Sequence, residues 1–309
     1  MENKLHISLS PHIRSNNSTQ RTMLDVIIAL VPTLIAAVVL FGLQALLVIA
    51  VSVISALGAE ALFNLAVKKE QTIGDFSAVV TGLILAFNLP ANIPLWQVAV
   101  GSIFAMVIVK GVFGGLGKNI VNPAIAARVF MLIAFGSMAT AAFPNGIDTT
   151  AGATPLAELA GDKAVNLLDL FLGKCGGALG ETCSLTLLIG GIYLLARKVI
   201  TWHIPVAFIG TAFLFTLAVE GGNVETALAW TLSGGLLLGA IFMATDYVTS
   251  PATAKGKLIF GIGAGVITVL IRFWGGYPEG VSFAILLMNI VNPYIDAATP
   301  RKLFGGKKK

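Results

Sequence analysis

Long apolar stretches separated by short polar loops run the whole length of this chain. Ten of them can be delimited: Met23–Phe41, Ala45–Val67, Phe76–Leu89, Trp96–Phe113, Ile120–Phe135, Cys183–Ala196, Ile204–Val219, Ala227–Ala244, Leu258–Phe273 and Val281–Ile295. A helix needs about 20 apolar residues to cross the hydrocarbon of a bilayer, with about 17 as a lower limit. Several of these runs fall short of that and predict half-length or broken helices. The pattern predicts an all-α polytopic membrane protein with ten transmembrane helices.

The two sets of five resemble each other. Val100-Gly101 through Phe113-Gly114-Gly115 matches Phe260-Gly261 through Trp274-Gly275-Gly276 in glycine placement, and Asn119-Ile120-Val121-Asn122-Pro123 recurs unchanged as Asn289-Ile290-Val291-Asn292-Pro293. An odd number of spans per repeat forces the repeats into opposite orientations. Inverted repeats of this kind enclose a site near the membrane midplane, built from short or interrupted helices. The expected organisation is a cytoplasmic segment (1–22), a first five-helix repeat (23–140), an outer loop (141–182), a second five-helix repeat (183–296) and a basic cytoplasmic tail (297–309).

Composition agrees. Of 309 residues 56% are hydrophobic and 11% charged, and mean hydropathy is +0.89, against about 25% charged in a soluble domain. The first 21 residues are polar and basic and carry no signal-peptide pattern. The net charge of +5 does not point to nucleic acid, because the basic residues gather in short loops and at the termini. Placing both termini in the cytoplasm leaves only Lys163, Lys174 and Arg272 of the 20 Lys and Arg away from the inner side, as the positive-inside rule favours. The loop from Ala141 to Thr182 then faces outward. Two cysteines, Cys175 and Cys183, are too few for an iron–sulfur cluster with its roughly four thiolates. They could form a disulfide in an oxidising compartment.

Four kinds of residue carry candidate chemistry. In the outer loop, Asp148-Thr149-Thr150-Ala151-Gly152-Ala153-Thr154-Pro155 is either an ordinary surface turn or an accessible hydroxyl acceptor ending in Thr154. Asn119 and Asn122 lie beside the bilayer, where an amide needs partners and can both donate to and accept from a ring edge; Asn289 and Asn292 mirror them. Glu60, Asp75, Asp246 and Asp296 sit in or at the ends of inner-half segments, Glu60 well inside its span. A carboxylate near the centre of a span costs about 2.5 kcal/mol or more on insertion scales, which suits an ion path, a proton relay or an ion pair. Asp75 and Asp296 also fit helix-end roles. Lys110, Lys118 and Arg128 are expected to anchor the fourth and fifth spans at the headgroups, with Arg128 deep enough to reach a carboxylate.

Asp148, Gly152, Ala153 and Thr154 match the flavinylation motif D-x-x-[S/T]-G-A-T of the membrane subunits of Rnf and Nqr complexes, with Ala151 departing from the usual Ser or Thr. The chain resembles this NqrB/RnfD family over nearly its whole length: Ser10-Pro11-His12, Asn88-Leu89-Pro90, Ile93-Pro94-Leu95-Trp96, Phe113-Gly114-Gly115-Leu116-Gly117-Lys118-Asn119, Asn122-Pro123-Ala124, Phe242-Met243-Ala244-Thr245-Asp246 and Thr249-Ser250-Pro251 all fit its pattern. Its length and short N-terminal region are nearer to Rnf D subunits than to the longer Nqr B subunits. The resemblance implies a urea-transporter-like fold of two inverted five-helix repeats in the plasma (inner) membrane of a prokaryote. It implies FMN attached covalently to Thr154 through a phosphoester, a noncovalent flavin (riboflavin) at Asn119 and Asn122, and a cation route for Na+ or H+ at Glu60, Asp246, Asp296 and Asp75. The implied activity is that of a subunit of a redox-driven ion-translocating ferredoxin:NAD oxidoreductase, with the other Rnf subunits (A, B, C, E and G) and membrane lipid as partners. Two alternatives remain at this point: a urea-transporter-like channel or small-solute transporter, and a structural anchor for redox partners.

Overall fold

The computed structural model describes residues 18–139, 142–144, 154–161, 165–275 and 279–300. Ser10-Pro11-His12, the stretch from Asp148 to Ala153 and the basic tail from residue 301 lie outside the described residues.

Those residues are helical, with no strand among them. The long helices are α1 (Thr19–Phe41), α2 (Leu43–Ala66), α12 (Ala254–Trp274) and α13 (Val281–Ala298). All four are long and apolar enough to cross a bilayer. The shorter apolar helices are α3 (Ser77–Phe87), α4 (Leu95–Gly111), α5 (Pro123–Ala134), α8 (Ser184–Ala196) and α9 (His203–Val219). Two small helices, α6 (Pro155–Ala160) and α7 (Leu167–Leu172), follow α5. The eighth apolar segment is one span in the sequence and two in space: α10 (Val224–Leu232) and α11 (Leu236–Met243) meet at a 65° bend. Ser233-Gly234-Gly235 makes the break, and Gly234 has a φ of +66, a conformation that favours glycine. Each apolar segment read from the sequence is therefore helical.

Burial differs from that of a water-soluble protein at both the surface and the interior. Val39, Leu43, Ile54 and Leu62 are exposed, whereas Ser52, Glu60, Asn64, Lys110 and Arg128 are buried. Lipid takes up the apolar surface and the polar groups turn inward, as a bilayer requires. The chain is a polytopic membrane protein.

Packing relies on close backbone approach. The second apolar helix of each half lies along the fourth, α2 on α4 and α9 on α12, while α1 packs on α8. On α12, a Cβ at Gly261 would lie 2.7 Å from Ala207 Cβ, and one at Gly265 would lie 2.8 Å from Thr211 Cβ. This is the small-residue spacing that brings membrane helices together. Between α2 and α3, Gly82 leaves room for Ser52 Oγ to donate to its carbonyl at 2.7 Å.

The duplicated pentapeptides do not form the same structure. Asn122 caps α5, its Oδ1 accepting from Ala124 N at 3.0 Å with Pro123 in the first turn, a position where proline's missing N–H is harmless. Asn289 to Pro293 lies inside α13. The difference lies upstream. Gly114, Gly115 and Gly117 all have positive φ and hold an open loop before the first copy, whereas apolar helix formers from Val281 to Met288 precede the second.

Candidate functional site

Two polar regions occupy opposite ends of the bundle. α2 ends and α3 begins at one end, and α4 runs back to it. Here Glu60, 5% exposed, meets Lys110, 4% exposed, from α4. Lys110 Nζ donates to Glu60 Oε1 at 2.7 Å and to Ser77 Oγ at 2.6 Å. Thr72 Oγ1 donates to the same Glu60 oxygen at 2.8 Å and accepts from Asn64 Nδ2 at 3.0 Å. Ser77 Oγ in turn donates to Asp75 Oδ1 at 2.5 Å. Glu60 Oε2 is buried without a partner. Lys110 is thus not a headgroup anchor: it sits inside, bridging Glu60 to Ser77, because the α4 register turns it toward α2. Asp75 also accepts from Ser77 N at 2.8 Å, at the first residue of α3, whose cap position is held by Phe76.

Beside this cluster lies a cavity of about 90 Å³ between the two halves, lined by Ser77, Lys110, Asn119, Asn122, Thr245 and Asp246 among others. Asn122 Nδ2 donates to Met243 O at 3.2 Å, tying α5 to α11. With its amide turned to satisfy both ends, Asn289 donates to Thr249 O and accepts from Asn122 N, each at 3.2 Å. Asn119 Nδ2 makes a local bond to Val121 O at 3.1 Å. Asp246 Oδ2 accepts from Thr249 Oγ1 at 3.0 Å and shapes the turn leading to α12. Asp296 lies apart and accepts from Ala252 N at 3.0 Å, pinning that same turn. The structure therefore joins Glu60 to Asp75 through Lys110 and Ser77, and brings Asp246 together with both asparagines around the cavity. It does not bring Asp296 to them.

The other end holds Thr154, whose Oγ1 accepts from Ala157 N at 3.2 Å as the cap of α6. Thr154 lines a narrow crevice of about 10 Å³ with Leu156, Cys175, Glu181, Thr182, Gly234 and Glu279. Beneath it are two buried arginines. Arg128 donates to Asn88 Oδ1 and Ser282 Oγ, both at 2.9 Å, and forms an ion pair with Glu279. Arg272 donates to Trp230 O at 2.6 Å and Ser233 O at 3.0 Å, closing the carbonyl end of α10 at the break. Arg128 is a bridge between α3, α5 and α13, not a surface anchor.

Cys175 and Cys183 are free thiols, directed at Thr182 O and Phe171 O at 3.6 and 3.7 Å. Burial first, then the nearby Glu181 carboxylate, pushes the Cys175 thiol up to about 12. It is protonated and unreactive at neutral pH. Glu181 and Glu279 are functional-site neighbours that sequence reasoning misses. Both lie near loops, where a carboxylate usually means solvent, and no local pattern marks them.

The fold and these two polar regions define a polytopic membrane protein with buried ionisable groups at both ends of a helical bundle. The family model for the NQR2, RnfD, RnfE family matches residues 6–305, and the chain belongs to that family. It is 48% identical to the D subunit of the Na(+)-translocating ferredoxin:NAD(+) oxidoreductase complex of Acetobacterium woodii, over 99% of this chain and 97% of that one. It is 41% identical to the D subunit of the proton-translocating ferredoxin:NAD(+) oxidoreductase complex of Clostridium ljungdahlii, over 99% and 98%. With the D subunit of the ion-translocating oxidoreductase complex of Escherichia coli K12 it shares 36% identity over 98% and 99%.

Proposed function

We propose that this chain is the D subunit of an Rnf-type complex, which couples electron transfer between ferredoxin and NAD to translocation of Na+ or H+, in company with the other Rnf subunits. Full-length similarity to subunits with that printed role supports the reading. None of the relatives named above is a solute channel, so the channel alternative gains no support. Ten spans in two inverted five-helix repeats, both termini in the cytoplasm and Thr154 on the outer face complete the proposal. The matched pairings of α2 with α4 and α9 with α12 support the repeats.

FMN is proposed on Thr154. The observation that carries this is the placing of Thr154 at a crevice, half-buried, where among the described residues its hydroxyl accepts from Ala157 N. The crevice is narrow, and the attached group would lie on the outer surface. Bound FMN supplies one- and two-electron chemistry; the residues here fix its point of attachment. For riboflavin the fit is poorer. Asn122 is already committed to Met243 and α5. A flavin there would have Asn119, whose amide makes a local bond to Val121 O, as its first contact. Glu60, Asp75 and Asp246 border the same region, and we assign the inner cation route to them, with Asp296 supporting the turn behind Asp246.

The test of the flavin assignment is a denaturing gel of the chain expressed in its own host, imaged under ultraviolet light. A fluorescent band lost in Thr154→Ala establishes the attachment. A dark wild-type band refutes it.

A further inference from the structure

The ion pair between Glu60 and Lys110 is oddly built for a structural device. Removing two charges from water is costly unless every lone pair and proton is satisfied. Yet Glu60 offers both bonds from Lys110 and Thr72 to one oxygen and leaves Oε2 buried and bare. Meanwhile the ammonium already touches its next host. Ser77 Oγ lies 2.6 Å from Lys110 Nζ and 2.5 Å from Asp75 Oδ1. Of this cluster, Ser77 and Lys110 are the members that line the neighbouring cavity, so a cation arriving from that side meets the ammonium before it meets Glu60.

We propose that Lys110 is a tethered counter-cation that exchanges with the transported monovalent cation at Glu60, its ammonium passing to Ser77 and Asp75 as the ion arrives. This rests on the reading of Glu60 as part of the cation route. The exchange keeps Glu60 paired with a cation throughout and gives Asp75 one as the ion arrives. Before it, Glu60 holds the ammonium and Asp75 its hydrogen bonds from Ser77; after it, Glu60 holds the ion and Asp75 the ammonium. Neither state leaves a buried carboxylate facing a vacated cation, which is the arrangement that costs several kcal/mol. The groups facing Glu60 are Asn64 and Thr72 near the end of α2, Ser77 of α3 and Lys110 of α4. Lys110 is a positioning residue whose charge sets how strongly an ion must bind to displace it.

The experiment uses the complete complex in liposomes, driven by reduced ferredoxin with NAD+ as acceptor. It reads cations moved per electron and the Na+ concentration or pH giving half-maximal turnover. Lys110→Gln removes the competitor and lowers the half-saturating Na+ concentration about tenfold. If the ion is a proton, the alkaline limb of the pH profile instead moves up by about one unit, because a carboxylate without a cationic neighbour binds a proton more tightly. Lys110→Arg, a forked and more firmly seated cation, moves either quantity the opposite way. Should the glutamine variant fail to assemble, the arginine variant decides alone. Unaltered cation dependence in Lys110→Arg, with Glu60→Gln lowering cations per electron, overturns the exchange and leaves Glu60 in the route. No change in Glu60→Gln removes Glu60 from the route, and the exchange with it.

Discussion

Arg128→Ala tests whether the buried arginine holds three elements together. Its guanidinium serves Asn88 Oδ1 at the end of α3, Ser282 Oγ at the start of α13, and the Glu279 carboxylate. Truncation strands two acceptors in a site where Arg128 is 4%, Asn88 2% and Ser282 3% exposed. Each unsatisfied buried group costs about 1–3 kcal/mol. Glu279 keeps contact with solvent through a side chain 28% exposed, so its loss is worth about 1 kcal/mol at most. Allowing for shared geometry, the sum is about 4 kcal/mol. At roughly 2 °C per kcal/mol for a chain of this size, the apparent melting temperature in detergent falls by about 8 °C. Arg128→Lys, which keeps the charge but not the fork, recovers part of that, and Glu279→Gln costs the least. The assay is thermal denaturation of the detergent-solubilised protein followed by intrinsic fluorescence or size exclusion. A shift under 2 °C in Arg128→Ala, or a Glu279→Gln loss equal to it, would refute the reasoning.

Two further outcomes are expected. Cys175, pushed from its ordinary 9.0 to about 12 mainly by burial, resists maleimide at pH 7.5 in the folded protein and reacts once the protein is unfolded. The folded state favours the thiol, so its contribution to stability is whole below pH 9 and is lost as pH rises toward 12; mass spectrometry after pulsed alkylation reads the first, and alkaline unfolding the second. Rapid native labelling at neutral pH would contradict the burial. Gly265→Val drives a side chain into Thr211 and the Phe208 carbonyl, which a Cβ would approach to 2.8 and 2.9 Å. Overpacking of this kind costs about 1–3 kcal/mol, measured as lost melting temperature, whereas Gly210→Ala, with open space around it, is close to neutral.

Most helices were readable from apolar run length, since a bilayer imposes that pattern directly. Ser233-Gly234-Gly235 also stood in the sequence, but three small polar residues read equally well as a packing seam and as a break. What decides is Arg272, which takes the freed carbonyls of Trp230 and Ser233 from a helix 42 and 39 positions away. Lys110 escaped for a similar reason. A lysine near the end of an apolar run looks the same whether it snorkels to lipid or reaches Glu60, 50 residues earlier, because helix register alone separates the two. The pentapeptides show the converse: identical residues start α5 in one half and lie within α13 in the other, so local identity did not carry local structure. Thr154 was found from a motif whose first six residues lie outside the described part, and its neighbours Glu181 and Glu279 carry no sequence mark at all.

The last turns of α4 and α11 are wider than an α-helix. From Phe104 to Gly111 and from Gly239 to Met243 the backbone is π-helical, with Val112 N bonding Val107 O at 2.9 Å and Ala244 N bonding Gly239 O at 2.7 Å, five positions back in each case. Each such turn stores one surplus residue relative to its neighbours. One residue corresponds to about 100° of helical rotation. Rewinding the turn of α4 into α-geometry would therefore swivel Lys110 by about that angle relative to the part of α4 that packs on α2, and shift it by about 1.5 Å along the axis, off Glu60. Deleting one residue between Phe104 and Val107 removes the surplus and with it the wide turn, while the parts of α4 on either side keep their facing. One of these two wide turns thus carries the ammonium and the other stands just before Asp246, so the backbone winding there sets which charge faces the cavity.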